Sequence, residues 1–313
     1  MQDTLITLLP NLGFLRISGA DADTFLQGQL SNDIALLTPQ RAQITSYNSP
    51  KGRMLAVSHL FRDEGAVLAE VDRGVLEPVL KRLRMFVLRS KVTLEDLSGH
   101  ACALGLAGSR APELLAQLDL PVPAQPLDCV RDDTSGLTLV RRFGELPRYT
   151  LHGNAGAVGV MMSRLAPDAT AANAQDWQRL DILAGVPTVY PQTSDHFVAQ
   201  MANLDLLGGI SFSKGCYTGQ EIVARLHYLG QLKRRMVICR CAAPSDGPRI
   251  APGTPVYDGA EPQAVGEVVQ AAASGNGSVL GIVLQLSHAG SAQLCLGQPQ
   301  GTPLSVPEQV PSA

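Results

Sequence analysis

Aromatic and charged residues are both scarce in this chain of 313 residues, at 4% and 17%. Few aromatic rings leave few platforms on which the bases of a single-stranded nucleic acid could stack. A formal charge of -3 excludes a chain that binds nucleic acid as an overall polycation. The hydrophobic fraction of 45% is that of a globular protein and excludes a disordered chain, a coiled coil or a collagen-like fibre.

Several common catalytic and metal-binding motifs are missing. The six cysteines include no C-x-x-C pair, and no cluster of cysteine and histidine has the spacing of a zinc site. The chain also lacks a phosphate-binding loop, a Rossmann fingerprint and a nucleophile elbow. We therefore expect no tightly bound metal.

A basic leader and a long hydrophobic run are missing too. The N-terminus carries Asp3, and the apolar run 279–286 is too short to span a bilayer and is interrupted by Gly281 and Gln285. These features predict a soluble cytoplasmic protein with no membrane partner and with mostly reduced thiols.

The apolar patterns that are present predict an α+β fold in three parts, 1–98, 99–234 and 235–313. Strands and helices are mixed without regular βαβ alternation in the first two parts, and the last shows only short β segments punctuated by glycine and proline. We expect the last part to be a small all-β barrel or sandwich. Strands are predicted at 14–17, 53–61, 66–71, 91–97, 101–108, 136–143 and 148–152, and helices at 74–85, 111–118, 155–165 and 173–184.

The segment 203–235 carries the most informative chemistry. Its pattern predicts a short strand over 210–212 and a helix over 220–227, so Cys216 lies close before a helix N-terminus. Lys214 is two residues away, and both the helix dipole and an ammonium group favour thiolate over thiol. Such a thiol could be a nucleophile, a metal contact or a redox group, and the alternative is a small packed residue.

Other candidate residues fall into three kinds. Gly215 and Gly219 remove side-chain bulk next to the cysteine, so backbone N–H groups there could approach a ligand. Trp177, the single tryptophan, lies on a predicted helix and is either a core residue or one wall of a flat-ring pocket. Four further cysteines lie in apolar strand patterns, where we expect packing: Cys102, Cys239, Cys241 and Cys295.

Two clusters of basic residues contain no acid, although the total charge is negative. Such clusters suit a carboxylate, a phosphate or an RNA backbone, and the alternative is a solvated helix face. The first comprises Lys81, Arg82, Arg84, Arg89 and Lys91, and the second Arg225, His227, Lys233, Arg234 and Arg235.

Three stretches together resemble one known family. SKGCYTGQEIVAR around Cys216, ISGADADTFLQGQLSND near the N-terminus and DWQRLDILAGVP around Trp177 are similar to motifs of the YgfZ family, folate-binding proteins related to the glycine cleavage T protein, an aminomethyltransferase. The resemblance implies a ring of three subdomains, two of α+β type and one C-terminal β-barrel, with tetrahydrofolate in the central hole. It also implies transient association with iron–sulfur enzymes, including those that thiolate tRNA, and a weak contact with tRNA.

The resemblance assigns roles to individual residues. Cys216 would be the functional thiol, with Lys214 beside it. The cofactor contacts would be Trp177, Tyr217, Gly215, Gly219, Gln220, Glu221 and Arg225.

This chain departs from the T protein at two places. Leu183 stands where the relatives carry the glutamate that binds the pterin ring, and Asp181 lies on another face of the helix. The acidic pair of the T protein is also missing from the stretch 51–56, which argues against aminomethyl transfer.

Three functions therefore stay open, and with them the question of whether the chain is an enzyme. They are a folate-binding accessory factor for iron–sulfur enzymes, a folate-dependent aminomethyl or one-carbon transferase, and a non-catalytic module that binds RNA or protein.

Overall fold

The computed structural model describes residues 4–242 and 250–307, which form seventeen strands and six α-helices. In chain order the strands are β1 (Leu5–Leu8), β2 (Leu12–Ser18), β3 (Gln43–Asn48), β4 (Met54–Asp63), β5 (Ala66–Asp72), β6 (Thr93–Asp96), β7 (Ala101–Ala107), β8 (Cys129–Asp132), β9 (Leu137–Arg141), β10 (Arg148–Asn154), β11 (Thr170–Ala171), β12 (Arg234–Cys241), β13 (Pro255–Asp258), β14 (Gly266–Ser274), β15 (Gly277–Gln285), β16 (Leu294–Leu296) and β17 (Thr302–Pro303). The helices are α1 (Ala22–Gln29), α2 (Arg73–Val87), α3 (Ala111–Gln117), α4 (Ala155–Leu165), α5 (Ala174–Leu183) and α6 (Gln220–Tyr228).

The first sheet has the strand order β3-β4-β5-β2-β6 and is antiparallel throughout. β4 and β5 are joined by the two-residue turn Glu64-Gly65, in which both residues have positive φ, as a type I′ hairpin turn requires. Helix α2 begins where the Asp72 carboxylate accepts from the Gly74 N–H at 2.9 Å. Its apolar residues recur at helical spacing and are buried against this sheet: Val75, Leu76, Val79, Leu80 and Leu83.

The second sheet has the strand order β11-β1-β7-β10-β9-β8. The first strand of the chain, β1, pairs antiparallel with β7 and parallel with β11, so residues from the N-terminus complete this sheet and not the first one. Helices α3 and α4 supply apolar side chains to its core, which also contains Leu104, Leu106 and Leu151. Because these side chains leave water together, the sheet and the two helices stabilise each other.

The C-terminal sheet has the strand order β12-β15-β14-β13-β16-β17. After β17 the chain returns to β12, where Leu304 forms a β-bridge with Cys241 and the Ser305 N–H donates to the Arg240 carbonyl oxygen at 2.8 Å. The two edges of the sheet therefore meet at one point. Helix α5 contacts this sheet, with Ile182 buried against Val279.

The α+β fold class and the order of the predicted helices and strands are confirmed, with shifts of a few residues at their ends. The predicted strand over 210–212 is wrong, because those residues run as an irregular segment whose Ser211 N–H donates to Ser31. The ring, the closed barrel and the boundaries at 98 and 234 stay predictions. Among the described residues, no helix is long and apolar enough to cross a bilayer.

Candidate functional site

The segment that precedes Cys216 is held by hydrogen bonds to the end of α1. The Ser31 hydroxyl donates to the Gly209 carbonyl oxygen at 2.7 Å, and the Asn32 amide donates to the Gly208 carbonyl oxygen at 2.8 Å. The Ser211 N–H donates to the Ser31 carbonyl oxygen at 2.9 Å. Ser31 and Asn32 are both buried, so these bonds are shielded from competing water. Two motifs that lie far apart in sequence thus form one structural unit.

Lys214 anchors the next part of this segment. Its Nζ donates to the carbonyl oxygens of Leu30 and Asn32, at 2.8 Å each, and lies 5.2 Å from the centre of the Tyr217 ring. Only 8% of the residue is exposed, and burial lowers the pKa of the amine to about 8. The Lys214 amine, which lies two residues from the thiol in the sequence, is therefore bonded to the backbone at the end of α1.

Helix α6 begins at a close contact between two glycines. Gly219 has φ +81°, and a Cβ on it would lie 2.4 Å from the Ser49 carbonyl oxygen. Gly52 has φ +70°, and a Cβ on it would lie 2.7 Å from Cβ of Ile222. Positive φ and these distances both require glycine, so the turn at 49–52 packs directly on the start of α6.

Cys216 is exposed on this anchored loop. It is a free thiol without a hydrogen bond to any residue in 4–242 or 250–307. Tyr217 beside it is buried, its N–H donates to the Gln220 side chain at 3.3 Å, and burial raises the pKa of its phenol to about 12. A Cβ on Gly215 would meet no atom within 4 Å, so the space next to the thiol is open. The loop therefore exposes the Cys216 thiol to solvent, while the Tyr217 side chain next to it is buried.

Two further predicted site residues, Glu221 and Arg225, lie exposed on α6. Neither side chain forms an ion pair or hydrogen bond with another residue that the structure describes, so both side chains are available to a ligand. Lys214, Gly215, Cys216, Tyr217, Gly219 and Gln220 are thus brought together with them in one loop and helix. Trp177 is not part of this group, because it lies on α5.

Trp177 packs in a separate core cluster. Its ring is 6% exposed and occupies the space that a side chain at Gly105 would need, since a Cβ there would lie 2.5 Å from the indole. The Arg148 guanidinium lies 5.1 Å from the ring and pairs with Asp181 at 3.0 Å. Leu183 is 40% exposed at the end of the same helix. The Asp181 carboxylate is therefore already bound by Arg148, and Leu183 offers no polar group.

A buried polar cluster joins the first and second sheets, and the sequence analysis missed it. The Arg142 guanidinium binds both carboxylate oxygens of Glu70, at 2.9 and 3.1 Å, and donates to His59 Nδ1 at 2.8 Å. His152 Nε2 lies 2.9 Å from the Thr150 hydroxyl and 3.5 Å from Glu70. The available signal was a charged residue between apolar neighbours in a predicted strand, as at Glu70 between Ala69 and Val71.

Burial keeps both histidines of this cluster neutral. Desolvation, helped by the charge of Arg142, lowers the pKa of His59 well below its usual value and that of His152 to about 3. One ring nitrogen of each, Nε2 of His59 and Nδ1 of His152, has no hydrogen-bond partner. An unpartnered buried nitrogen is costly unless a ligand or water completes it.

The two histidines face different cavities. His152 lines a cavity of about 360 Å³ together with Phe14, Phe61, Asp63 and Arg131. His59 lines one of about 50 Å³, which Trp177 and Asp181 also line. Sites for small molecules usually have roughly 300 to 1,000 Å³. Only the larger of these two cavities has that size.

The stretch 51–56, from which the acidic pair of the T protein is missing, contains no Asp or Glu. Its last three residues begin β4, and of these Met54 and Ala56 are buried. The stretch therefore offers no carboxylate that could take up a proton or hold an amine.

One group of side chains in the C-terminal part has the composition of a cation site. Asp258, Glu261 and His288 place potential ligand atoms within 4.8 Å of one another. The Asp258 carboxylate already accepts from His288 Nδ1 at 2.7 Å and from the Ser291 hydroxyl at 2.6 Å. These bonds account for the cluster without a metal.

Comparison with known proteins gives a consistent result. No protein-family model matches the chain. The tRNA-modifying protein YgfZ of an Escherichia coli strain is 34% identical over 233 residues, which cover 74% of this chain and 70% of that protein. The chain belongs to the YgfZ family. A Shigella boydii member of the family shows the same identity over the same shares of the two chains.

A solved structure shows the same fold. The glycine cleavage system aminomethyltransferase T from Bartonella henselae matches with a TM-score of 0.69, covering 97% of this chain and 85% of that one at 16% identity. The predicted relation of the YgfZ family to the T protein is therefore confirmed at the level of fold. The roles predicted for Cys216, Lys214, Trp177 and the residues around them stay predictions.

Proposed function

We propose that this chain is a cytoplasmic folate-binding accessory protein that supports the synthesis or repair of iron–sulfur enzymes, among them enzymes that thiolate tRNA. In this proposal Cys216 is the functional thiol, and the iron–sulfur enzymes are transient partners. Membership of a family whose curated members are named tRNA-modifying proteins supports the link to tRNA.

The observation that carries this proposal is the exposure of Cys216 on an otherwise fixed loop. Lys214 is bonded to the end of α1, Gly219 packs on the turn at 49–52, and the Tyr217 side chain is buried. A cysteine with only a packing role would be buried, as Cys239 is at 0% exposure. The thiol is thus accessible to a large partner.

We place the folate ring in the larger cavity, which has the size of a small-molecule site but is lined by none of the cofactor contacts that the resemblance implies. Phe14, Phe61 and His152 supply its aromatic walls. Arg131 and Asp63, which pair with each other at the cavity wall, add a donor and an acceptor for the polar edge of the ring. Bound tetrahydrofolate would supply a carrier for one-carbon units. The residues of this chain bind and orient it, while the stretch 51–56 offers no acid for aminomethyl transfer.

Complementation tests the role of the thiol. In an Escherichia coli strain that lacks its own YgfZ protein, the native chain should restore the activity of a tRNA-thiolating iron–sulfur enzyme. Cys216→Ala should fail to restore it, while keeping the native melting temperature because the side chain is exposed. Cys102→Ala, a matched loss of a half-buried thiol, should restore activity. Full activity of Cys216→Ala would remove the thiol from the proposed function.

Calorimetry tests the folate site. Tetrahydrofolate should bind the native chain, and Ala101→Trp, which fills the larger cavity, should abolish the heat of binding. Leu183→Glu should leave the affinity unchanged, because Leu183 does not line that cavity. No binding by the native chain, or tighter binding by Leu183→Glu, would contradict this placement of the ring.

A further inference from the structure

Three aromatic rings meet at the surface where α6 ends. The rings of Phe212 and His227 are stacked with their centres 3.7 Å apart and an angle of 11° between their planes. Tyr228 stands edge-on to His227, with centres 4.7 Å apart, and is 64% exposed. The scarcity of aromatic residues in the sequence argued against stacking platforms, but the fold gathers three rings in one place.

Three exposed cations lie on α6 or just after it, close in sequence to these rings. Arg225, Lys233 and Arg234 are exposed, and none of them forms an ion pair with another residue in the described part of the chain. Arg235, which the sequence grouped with them, is buried at 5% exposure and binds the Asp205 carboxylate at 2.8 and 3.0 Å. The surface charge therefore comes from three residues that form no ion pair in the described part of the chain, with the exposed Glu221 one turn before Arg225 on α6.

A groove of about 900 Å³ runs between this end of α6 and the C-terminal sheet. His227 and Lys233 lie on its wall, and Gln200 and Arg235 line its floor. Oε1 of Gln200 and Nε of Arg235 are shut off from solvent and have no hydrogen-bond partner. The groove therefore presents the His227 ring and the Lys233 ammonium group to a ligand, while these two unpartnered atoms lie below its accessible surface.

We propose that this groove and the three rings beside it bind a single-stranded segment of RNA. The exposed Tyr228 would stack on a base, and the exposed Arg225, Lys233 and Arg234 would contact phosphates. The proposal goes beyond the proposed function, because it involves neither Cys216 nor the folate cavity.

An acidic protein segment is the competing ligand, and the structure favours RNA over it. Carboxylates would use the three cations but would leave the exposed Tyr228 ring without a flat partner. A duplex would present phosphates to the cations but would keep its bases stacked inside, away from the ring.

Fluorescence anisotropy with a labelled single-stranded RNA of about eight nucleotides tests the proposal on the full chain. Tyr228→Ala should weaken binding roughly 5- to 150-fold, the loss expected for one stacked base, and Tyr228→Phe should bind within about twofold of the native chain. Lys233→Glu should weaken binding and lower the slope of log K against log salt by about 0.7 or more.

Three controls decide between the explanations. Arg164→Glu, the same charge change on the exposed face of α4, should bind like the native chain, and so should Cys216→Ala. Duplex RNA and polyglutamate should compete poorly with the single-stranded probe. The proposal is overturned if the native chain does not bind, if Tyr228→Ala binds as well as Tyr228→Phe, if Arg164→Glu loses as much as Lys233→Glu, or if polyglutamate displaces the probe equally.

Discussion

The side-chain amine of Lys214 is buried inside the protein. Its amine is bonded to two carbonyl oxygens at the end of α1 and lies over the Tyr217 ring, where little water reaches it. Two residues further along the chain, Cys216 is exposed and unbonded within the described residues. Within the motif, the lysine therefore holds the loop in place, and the cysteine thiol is left accessible to solvent.

The lowered pKa of Lys214 should appear in the pH dependence of stability. The amine loses its proton at about pH 8 in the folded chain, against 10.5 as its ordinary value. Between these values the unfolded chain binds more protons, so this group makes the free energy of unfolding rise with pH. Urea unfolding of the native chain and of Lys214→Met should be compared from about pH 7.5 to 10. The free energy of unfolding of the native chain, relative to that of the variant, should increase as pH rises. A constant gap would contradict the burial of a titrating amine.

At the scale of elements, the start of α6 is fixed by backbone packing. The turn at 49–52 and the helix approach so closely that Gly52 and Gly219 exclude each other's side chains. The segment 208–214 ties the same region to α1. The candidate site is therefore an assembly of one helix end, one turn and one loop that lie far apart in the sequence.

A pair of glycine substitutions tests this packing. Gly219→Ala should lower the free energy of unfolding by about 2 kcal/mol or more, because a positive φ and a contact with the Ser49 carbonyl oxygen both oppose a Cβ. Gly215→Ala, in the same loop but with open space around it, should change it by less than about 0.5 kcal/mol. Chemical denaturation of the two variants gives the comparison, and equal losses would refute the interlocked turn.

The sequence predicted these elements better than their contacts. Periodicity predicted most of the longer helices and strands, because side-chain spacing is a local property, but it did not predict β1, β3 or β8. It gave the wrong structure for 210–212, where hydrogen bonds to Ser31 replace a strand partner. The sequence shows only how far Lys214 lies from Cys216 along the chain, whereas the fold determines which carbonyl oxygens the lysine amine reaches.

At the scale of the whole molecule, Glu70 and Arg142 connect two sheets. Glu70 lies on β5 of the first sheet, and Arg142 follows β9 of the second, so this pair and its histidines lie where the two sheets face each other. Sequence patterns within a strand cannot show such a partner, because its position depends on how the sheets pack. The cavities that His152 and His59 line therefore depend on how these two sheets pack.

Removing one member of the pair should therefore be costly. Arg142→Met leaves the Glu70 carboxylate buried and uncompensated, which should lower the free energy of unfolding by about 3 to 5 kcal/mol. Adding Glu70→Gln should recover part of that loss, since the uncompensated charge is then gone. Urea unfolding of the two single variants and the double variant measures the coupling. Strictly additive effects would show that the pair does not act as a unit.

Alkylation of the native chain tests the central claim most directly. Under limiting iodoacetamide, peptide mass mapping should find Cys216 modified first, while Cys129, Cys239 and Cys295, all buried, react only after denaturation. Modification of Cys216 at that stage should leave the melting temperature unchanged. A Cys216 that stays protected until the chain unfolds would contradict the account of an accessible thiol on an anchored loop.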